Sequence, residues 1–189
     1  MSISSAAGSE SAVQLHGSIW DVCRATPTGH KDGPCWQDRR QPLVPALEGR
    51  GDPSGLCGEI AEEDLPHDDA GRLLRPGVVW FNENLDQAVA DKVEGILDAC
   101  DLLLIVGTSA VVYPAAGYAP HVWSRGVPVV ECNLEPTSNS RLCALTFKGR
   151  AGLLLPRLLG VQDDERVRAA MAAAAAQETP GVVQRLRVH

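Results

Sequence analysis

"DQAVADKVEGILDACDLLLIVGTS", residues 86–109, sets the fold class. Its first part carries apolar residues at Val89, Val93, Ile96 and Leu97, a spacing that lines one face of a helix over 86–100. Leu102 to Val106 then runs apolar without a break, as a strand buried on both faces does, and ends in Gly107, Thr108 and Ser109. The same alternation of element types continues on both sides. Val78 to Phe81 reads as a short buried strand, 114–124 as a helix and "VPVVECN" (127–133) as another apolar strand. Phe147 to Gly149 reads as a strand end, "GLLLPRLLG" (152–160) as a short helix, and "DDERVRAAMAAAAA" (163–176) as a helix with acidic residues at its start. The expected class is α/β. A partial Rossmann-like, three-layer core from Gly77 to Gly160 would have parallel strands at 78–81, 102–106 and 127–131.

Upstream the pattern is weaker. Residues 1–12 are small and polar and read as disordered. Residues 13–20 read as a short strand leading into a turn. From Cys23 to Leu74, recurrent Gly and Pro and the charge run "EIAEEDLPHDD" predict a small module of loops. The domain organisation expected is therefore a tail (1–12), an irregular module (13–76), the α/β core (77–160) and a helical tail (161–189).

Composition removes several classes of function. A net charge of −7 with no basic stripe argues against nucleic acid as a partner, and 4% aromatic residues leave no stacking platform for single strands. No apolar run approaches the roughly 20 residues that cross a bilayer, so no membrane partner is expected. The start, "MSISSAAGSESAVQ", has neither the basic-then-apolar order of a secretory leader nor the arginines of a presequence, so no targeting signal is expected and the compartment stays open. Six cysteines without a leader predict reduced thiols or metal ligands rather than disulfides.

In open parallel sheets, ligands bind at the carboxyl ends of the strands. Two such ends are polar here, Gly107-Thr108-Ser109 and Glu131-Cys132-Asn133. The glycine allows close approach to the backbone, and the hydroxyls and Asn133 can bond ribose or phosphate. Taken alone, Gly-Thr-Ser serves equally well as a helix N-cap.

The strings "LHGS" (15–18), "LLRPGVVWFNENLD" (73–86) and "VGTSAVVYPAAGYAP" (106–120), in this order, resemble the sirtuins, NAD-dependent protein lysine deacylases. "VVYPAA", "LLRPGVVWF" and "PALEGRG" are similar to the branch that removes succinyl, malonyl and glutaryl groups. The likeness spans about residues 13 to 160. It implies NAD as cofactor, an acyl-lysine protein or peptide as substrate, and transfer of the acyl group to ADP-ribose, in a mitochondrial or cytoplasmic setting. It makes His16 the general base that activates a ribose hydroxyl, a task suited to imidazole because histidine changes protonation near neutral pH. It puts Gly107, Thr108 and Ser109 on a ribose, Asn133, Leu134 and Glu135 beside the adenosine, and Ala151 against the adenine. It puts Phe81, Asn82, Glu83, Leu85 and Tyr113 along the acyl-lysine peptide, which would add as a strand. Asn82 stands where the family has Gly, so a bulkier residue faces the peptide. Trp80 reads as core packing.

The family's Gly-Ala-Gly phosphate turn and Gln-Asn-Ile-Asp strand end precede its histidine, and neither occurs in this sequence. The resemblance therefore implies a C-terminal half that would not deacylate by itself and whose open sheet edge would favour self-association. It also implies a structural zinc on two Cys pairs. Cys23 has no partner two or three residues on, and "LPHDDAGR" (65–72) stands where the second pair belongs. Cys23, Cys35 and His67 are the nearest to a ligand set, with Cys57 and His30 as substitutes, so zinc is expected to be weak or absent. Cys100, Cys132 and Cys143 read as buried small apolar residues. Two other functional classes compete: a non-catalytic, degenerate sirtuin-like module that binds peptide or nucleotide, and an unrelated nucleotide-binding α/β domain.

Overall fold

A computed structural model describes residues 9, 11–50 and 58–176. The chain divides into two compact units, Met1–Val93 and Glu94–His189, and the division falls within helix α1 (Gln87–Ala99).

The first unit is built on an antiparallel sheet of β1 (Gly17–Ala25), β2 (Lys31–Gln37) and β3 (Leu74–Val78), in the order β2-β1-β3. Strand β1 buries Ser18, Val22 and Cys23. The β1–β2 turn is closed by the Gly29 amide donating to the Thr26 carbonyl (2.8 Å) and the His30 amide to the Thr26 hydroxyl (3.0 Å). The register slips between Val22 and Arg24, and at this slip Cys23 and Cys35 form a disulfide with their Cα atoms 4.4 Å apart. On the other side of β1, Gly17 pairs with Val78 and Ser18 with Gly77. Two glycines are required here. A Cβ on Gly17 would lie 2.0 Å from the Gly77 carbonyl oxygen, and one on Gly77 would lie 2.6 Å from the Asp21 Cβ.

The second unit holds a parallel sheet of β4 (Leu103–Val106), β5 (Val129–Asn133) and β6 (Leu145–Lys148), in that order. Helices α2 (Tyr118–Ser124), α3 (Ala151–Leu158) and α4 (Glu165–Ala176) accompany it. Its core includes Leu97, Ala116, Ala119, Val122, Val129 and Cys132. The Arg125 guanidinium donates to the carbonyls of Leu97 and Asp98, capping the exposed C-terminal end of α1.

The α/β class stands, with four corrections. The run Val78–Phe81 is not a parallel strand: β3 ends at Val78 and belongs to the antiparallel sheet. Its preceding residues, Leu-Arg-Pro-Gly, are suited to the close approach at Gly17, and the apolar residues that follow leave the sheet. The strand expected at 13–20 begins only at Gly17, after a turn in which the Gly17 amide donates to the Gln14 carbonyl (3.1 Å). The stretch after Cys23 is not all loop, since β1 runs on to Ala25 and β2 follows. Gly33 and Pro34 conceal β2 in the sequence and are tolerated because it is an edge strand. The parallel strands lie at 103–106 and 129–133 rather than 102–106 and 127–131, and β6 adds a third. The disordered tail expected at 1–12 lies largely outside the described residues, as does the end of the helical tail.

Gly17→Ala combines a positive φ with a backbone collision, so it is expected to cost about 3 kcal/mol of stability. Gly29→Ala, at φ +82° with nothing within 4 Å of the added carbon, should cost only about 1–2 kcal/mol. Urea denaturation of both variants checks the contrast.

Candidate functional site

In the first unit, His16 closes the turn before β1. Its carbonyl accepts from the Val79 amide at 2.9 Å, and its side chain is exposed. This bond places the His-Gly-Ser turn beside the chain leaving β3. That chain forms a tight turn, Trp80 to Glu83, with the Glu83 amide donating to the Trp80 carbonyl (3.1 Å). Asn82 takes φ +69° at its third position, as in a type II turn, and Asn is among the few side chains that tolerate this. The turn leaves Phe81 84% exposed, while Glu83 and Leu85 are half-buried.

The turn is held from below by Arg75, which is buried. Its guanidinium grips both oxygens of Glu83 (Nη1 to Oε1, and Nη2 to Oε2 at 3.0 Å) and donates to the carbonyls of Gly29 (3.0 Å) and Val78 (2.6 Å). It stacks 3.7 Å from the Trp80 ring centroid. Glu83 also accepts from the Trp80 amide at 2.9 Å and meets His30 Nδ1 at 3.3 Å. The Arg75 hydrogen bonds first, and the Trp80 amide next, draw the Glu83 carboxyl from 4.5 down to about 2. Trp80 is therefore no core residue: it is 48% exposed and serves as a platform for Arg75. A groove of about 810 Å³ opens in this unit, lined among others by Leu15, Gly17, Asp21, His30, Asn82 and Glu83.

In the second unit the expected strand ends do converge. Gly107, at φ +60°, donates to the Cys132 carbonyl (3.0 Å), and Asn133 Nδ2 donates to the Thr108 carbonyl (2.6 Å). Thr108 Oγ1 accepts from the Ala110 amide at 3.2 Å. Gly107, Thr108 and Ser109 are exposed, as are Leu134 and Glu135, and Glu135 pairs with Lys148 at 3.0 Å. Ala151 opens α3, half-buried, just after the Gly149 amide donates to the Asn133 carbonyl (2.8 Å). Tyr113 is 77% exposed and belongs to this unit, whereas Phe81, Asn82, Glu83 and Leu85 belong to the first.

Glu131, read from the sequence as part of a ligand-facing strand end, is instead turned inward. It is buried in β5, with Thr137 Oγ1 donating to Oε1 (2.5 Å) and Ser140 Oγ to Oε2. A carboxylate ending an apolar strand was the available signal. Burial first, and then Glu131, push the Cys143 thiol up to about 11. Cys132 is buried as expected, but Cys100 and Cys143 are only half-buried.

The metal expectation needs correction. Cys23 and Cys35 are joined to each other, contrary to the reduced thiols expected, and disulfide sulfurs are not thiolate ligands. His67 turns its Nδ1 to the Leu65 carbonyl at 2.8 Å. Among the described residues no group of three His, Cys, Asp or Glu side chains could hold an ion, and Cys57 lies outside them.

Residues 2–114 match the model of the Sir2 family. The NAD-dependent protein deacylase of Daphnia pulex is 44% identical over 162 residues, 81% of this chain and 56% of that protein. The mitochondrial NAD-dependent protein deacylase sirtuin-5 of Canis lupus familiaris is 42% identical over 166 residues, 85% of this chain and 52% of that protein. Among solved structures, a complex of a Sir2 homologue with NAD superposes with a TM-score of 0.62 at 29% identity, covering 87% of this chain and 54% of that one. A mutant homologue in complex with 2′-O-acetyl ADP-ribose gives 0.65 at 30%, covering 88% and 56%. The chain spans about half the length of the curated relatives it matches.

Arg75→Met should destabilise the first unit by about 3–5 kcal/mol, because it leaves the Glu83 carboxylate low in solvent exposure without its cation. The pH dependence has a fixed sign. A carboxyl lowered from 4.5 to about 2 contributes stability that is complete above 4.5 and is lost as pH falls toward 2. Denaturation from pH 7 to 2 should show this acid limb in the parent and a flatter one in Arg75→Met.

Proposed function

Because this chain belongs to the Sir2 family, we propose that it acts in an NAD-dependent protein lysine deacylase of the desuccinylase type. The observation that carries the reading is the hydrogen bond from the Val79 amide to the His16 carbonyl, which sets the His-Gly-Ser turn beside the chain leaving β3, with Leu15, Gly17 and the segment 82–84 lining the groove. The substrate class is an acyl-lysine peptide. Phe81, Asn82, Glu83 and Leu85 are its proposed contacts in the first unit, with the peptide adding as a strand. The names of relatives that carry "mitochondrial" favour that compartment over the cytoplasm.

The residues present fit part of NAD. The joined ends of β4 and β5 expose a positive-φ glycine, two hydroxyls and a fixed amide, a donor set suited to ribose. Gly107, Thr108 and Ser109 would hold a ribose, Asn133, Leu134 and Glu135 the adenosine side, and Ala151 the adenine face. NAD supplies nicotinamide as the leaving group and ADP-ribose as the acyl acceptor. His16 is proposed to take the proton from a ribose hydroxyl onto an imidazole nitrogen. The Arg75–Glu83 pair holds the peptide loop in register. Self-association through the β4 edge is part of the proposal, supported by the exposure of Leu102, Leu104 and Val106 beside an edge strand.

The test is nicotinamide release from NAD in the presence of succinyl-lysine and unmodified peptides. Ribose contacts of about 1 kcal/mol each give NAD affinity near millimolar, so release by the 189-residue chain is measured at millimolar NAD. A chain extended to the full length of its relatives should release nicotinamide in an acyl-dependent manner, and His16→Ala should cut that rate by at least 100-fold, a loss of the order general-base catalysis supplies. Release that is independent of the acyl group, or indifferent to His16→Ala, would reject the assignment.

A further inference from the structure

A zinc on two Cys pairs, which the family implies, does not fit the described residues of the first unit, whose sulfurs at Cys23 and Cys35 are bonded to each other and whose His67 ring faces a carbonyl. We infer that the antiparallel sheet is braced instead by the Cys23–Cys35 disulfide together with a carboxylate clamp centred on Asp68. A zinc between two Cys pairs would fasten the β1 hairpin to the later segment that leads into β3. Both connections are made here by the protein's own side chains. The disulfide fastens β1 to β2 at the register slip. Asp68, in the "LPHDDAGR" stretch, fastens β1 to the turn before β3.

All four bonding directions of the Asp68 carboxylate are used. Oδ1 accepts from the amides of Ala70 (3.0 Å) and Arg72 (2.9 Å), and Oδ2 from Arg24 Nε (2.8 Å) and Arg72 Nε (3.0 Å). Its side chain is 12% exposed, and Arg24 leads the causes that hold its carboxyl far below the ordinary range. Backbone bonds complete the turn, from the Gly71 amide to the Asp68 carbonyl (2.8 Å) and from the Asp68 amide to the Arg72 carbonyl (2.9 Å). Cys35 and Trp36 are consecutive on β2, and Arg24 lies over the Trp36 ring at 5.6 Å. The covalent tie at Cys23–Cys35 and the arginine that reaches Asp68 thus sit at neighbouring positions of the hairpin.

The disulfide forms by exchange with an external disulfide such as oxidised glutathione. One Cys thiolate attacks it and displaces a thiolate. The second Cys thiolate then attacks the mixed disulfide and displaces the other. The two Cys sulfurs are oxidised, the external disulfide is reduced to two thiols, and the two thiol protons end on the leaving groups.

The experiment is thermal unfolding of the purified 189-residue chain, prepared without reductant, with dithiothreitol or with a chelator, alongside metal analysis and peptide mapping. Dithiothreitol should lower Tm by on the order of 10 °C, as expected for opening a short covalent loop. The chelator should leave Tm unchanged, zinc should be far below one per chain, and mapping should find Cys23 linked to Cys35. Asp68→Asn should lower Tm by several degrees in the oxidised protein and add to the effect of dithiothreitol. Stoichiometric zinc whose removal lowers Tm would overturn the inference, as would a Tm indifferent to dithiothreitol or the absence of the linked peptide. If Cys35→Ser fails to fold, the dithiothreitol arm on the parent chain still decides. None of these readouts depends on deacylation, so the brace and the proposed activity stand or fall separately.

Discussion

The first unit depends on one buried ion pair, Arg75 with Glu83. Burying two charges costs several kcal/mol each, and their attraction offsets this only where every donor and lone pair is used. Here that condition is close to met. The guanidinium reaches Glu83 and the carbonyls of Gly29, Pro76 and Val78, and its face lies on Trp80. Each partner belongs to a different segment: the hairpin turn, the end of β3, and the loop that follows it. The pair therefore does more than balance charge. It fixes the direction in which the chain leaves the sheet, and so where Phe81 and Asn82 stand relative to the His16 turn.

The second unit uses a buried carboxylate in a different way. Glu131 is held by two hydroxyls, from Thr137 and Ser140, which bind both of its oxygens. They tie the loop 134–144 back onto β5. That loop is the connection between β5 and β6, so the position of Asn133 at its start is fixed from both ends: by Glu131 two residues before, and by the Gly149 amide across the sheet. The Asn133 amide then reaches the Thr108 carbonyl and joins the ends of β4 and β5 into one surface.

What could be read in the sequence follows from where the apolar pattern is regular, although β4 is not buried on both faces as expected, since Leu104 and Val106 are exposed. Helix α1 and strand β4 announce themselves because one face of the helix and the whole strand are apolar, and the strand-end rule then located Gly107 to Ser109 and Asn133. The first unit is small, and its cohesion comes from few and specific links rather than from an apolar pattern. Strand β2, Lys-Asp-Gly-Pro-Cys-Trp-Gln, contains two residues that disfavour strands and no alternation. A disulfide and an arginine on a tryptophan hold it, and neither follows from local propensity. The run Val78–Phe81 misleads for the opposite reason. It is apolar, but Trp80 is spent on stacking Arg75 and Phe81 lies on the surface. Arg75 and Glu83 are eight residues apart, a spacing that belongs to no helix or strand pairing, so the central contact of the unit left no periodic trace.

Asn82 shows how a backbone requirement and a side-chain consequence separate. The turn Trp80–Glu83 must reverse within four residues, because the Trp80 amide and the Arg75 guanidinium both converge on the Glu83 carboxylate. That closure requires positive φ at the third position, which is why Gly belongs there in the family. Asn meets the same requirement at small cost, since a short polar side chain tolerates the left-handed region better than other non-glycine residues. The substitution therefore leaves the path of the loop intact and adds an amide to the lining of the groove. Any change in what the groove accepts must then come from that amide and not from a moved backbone.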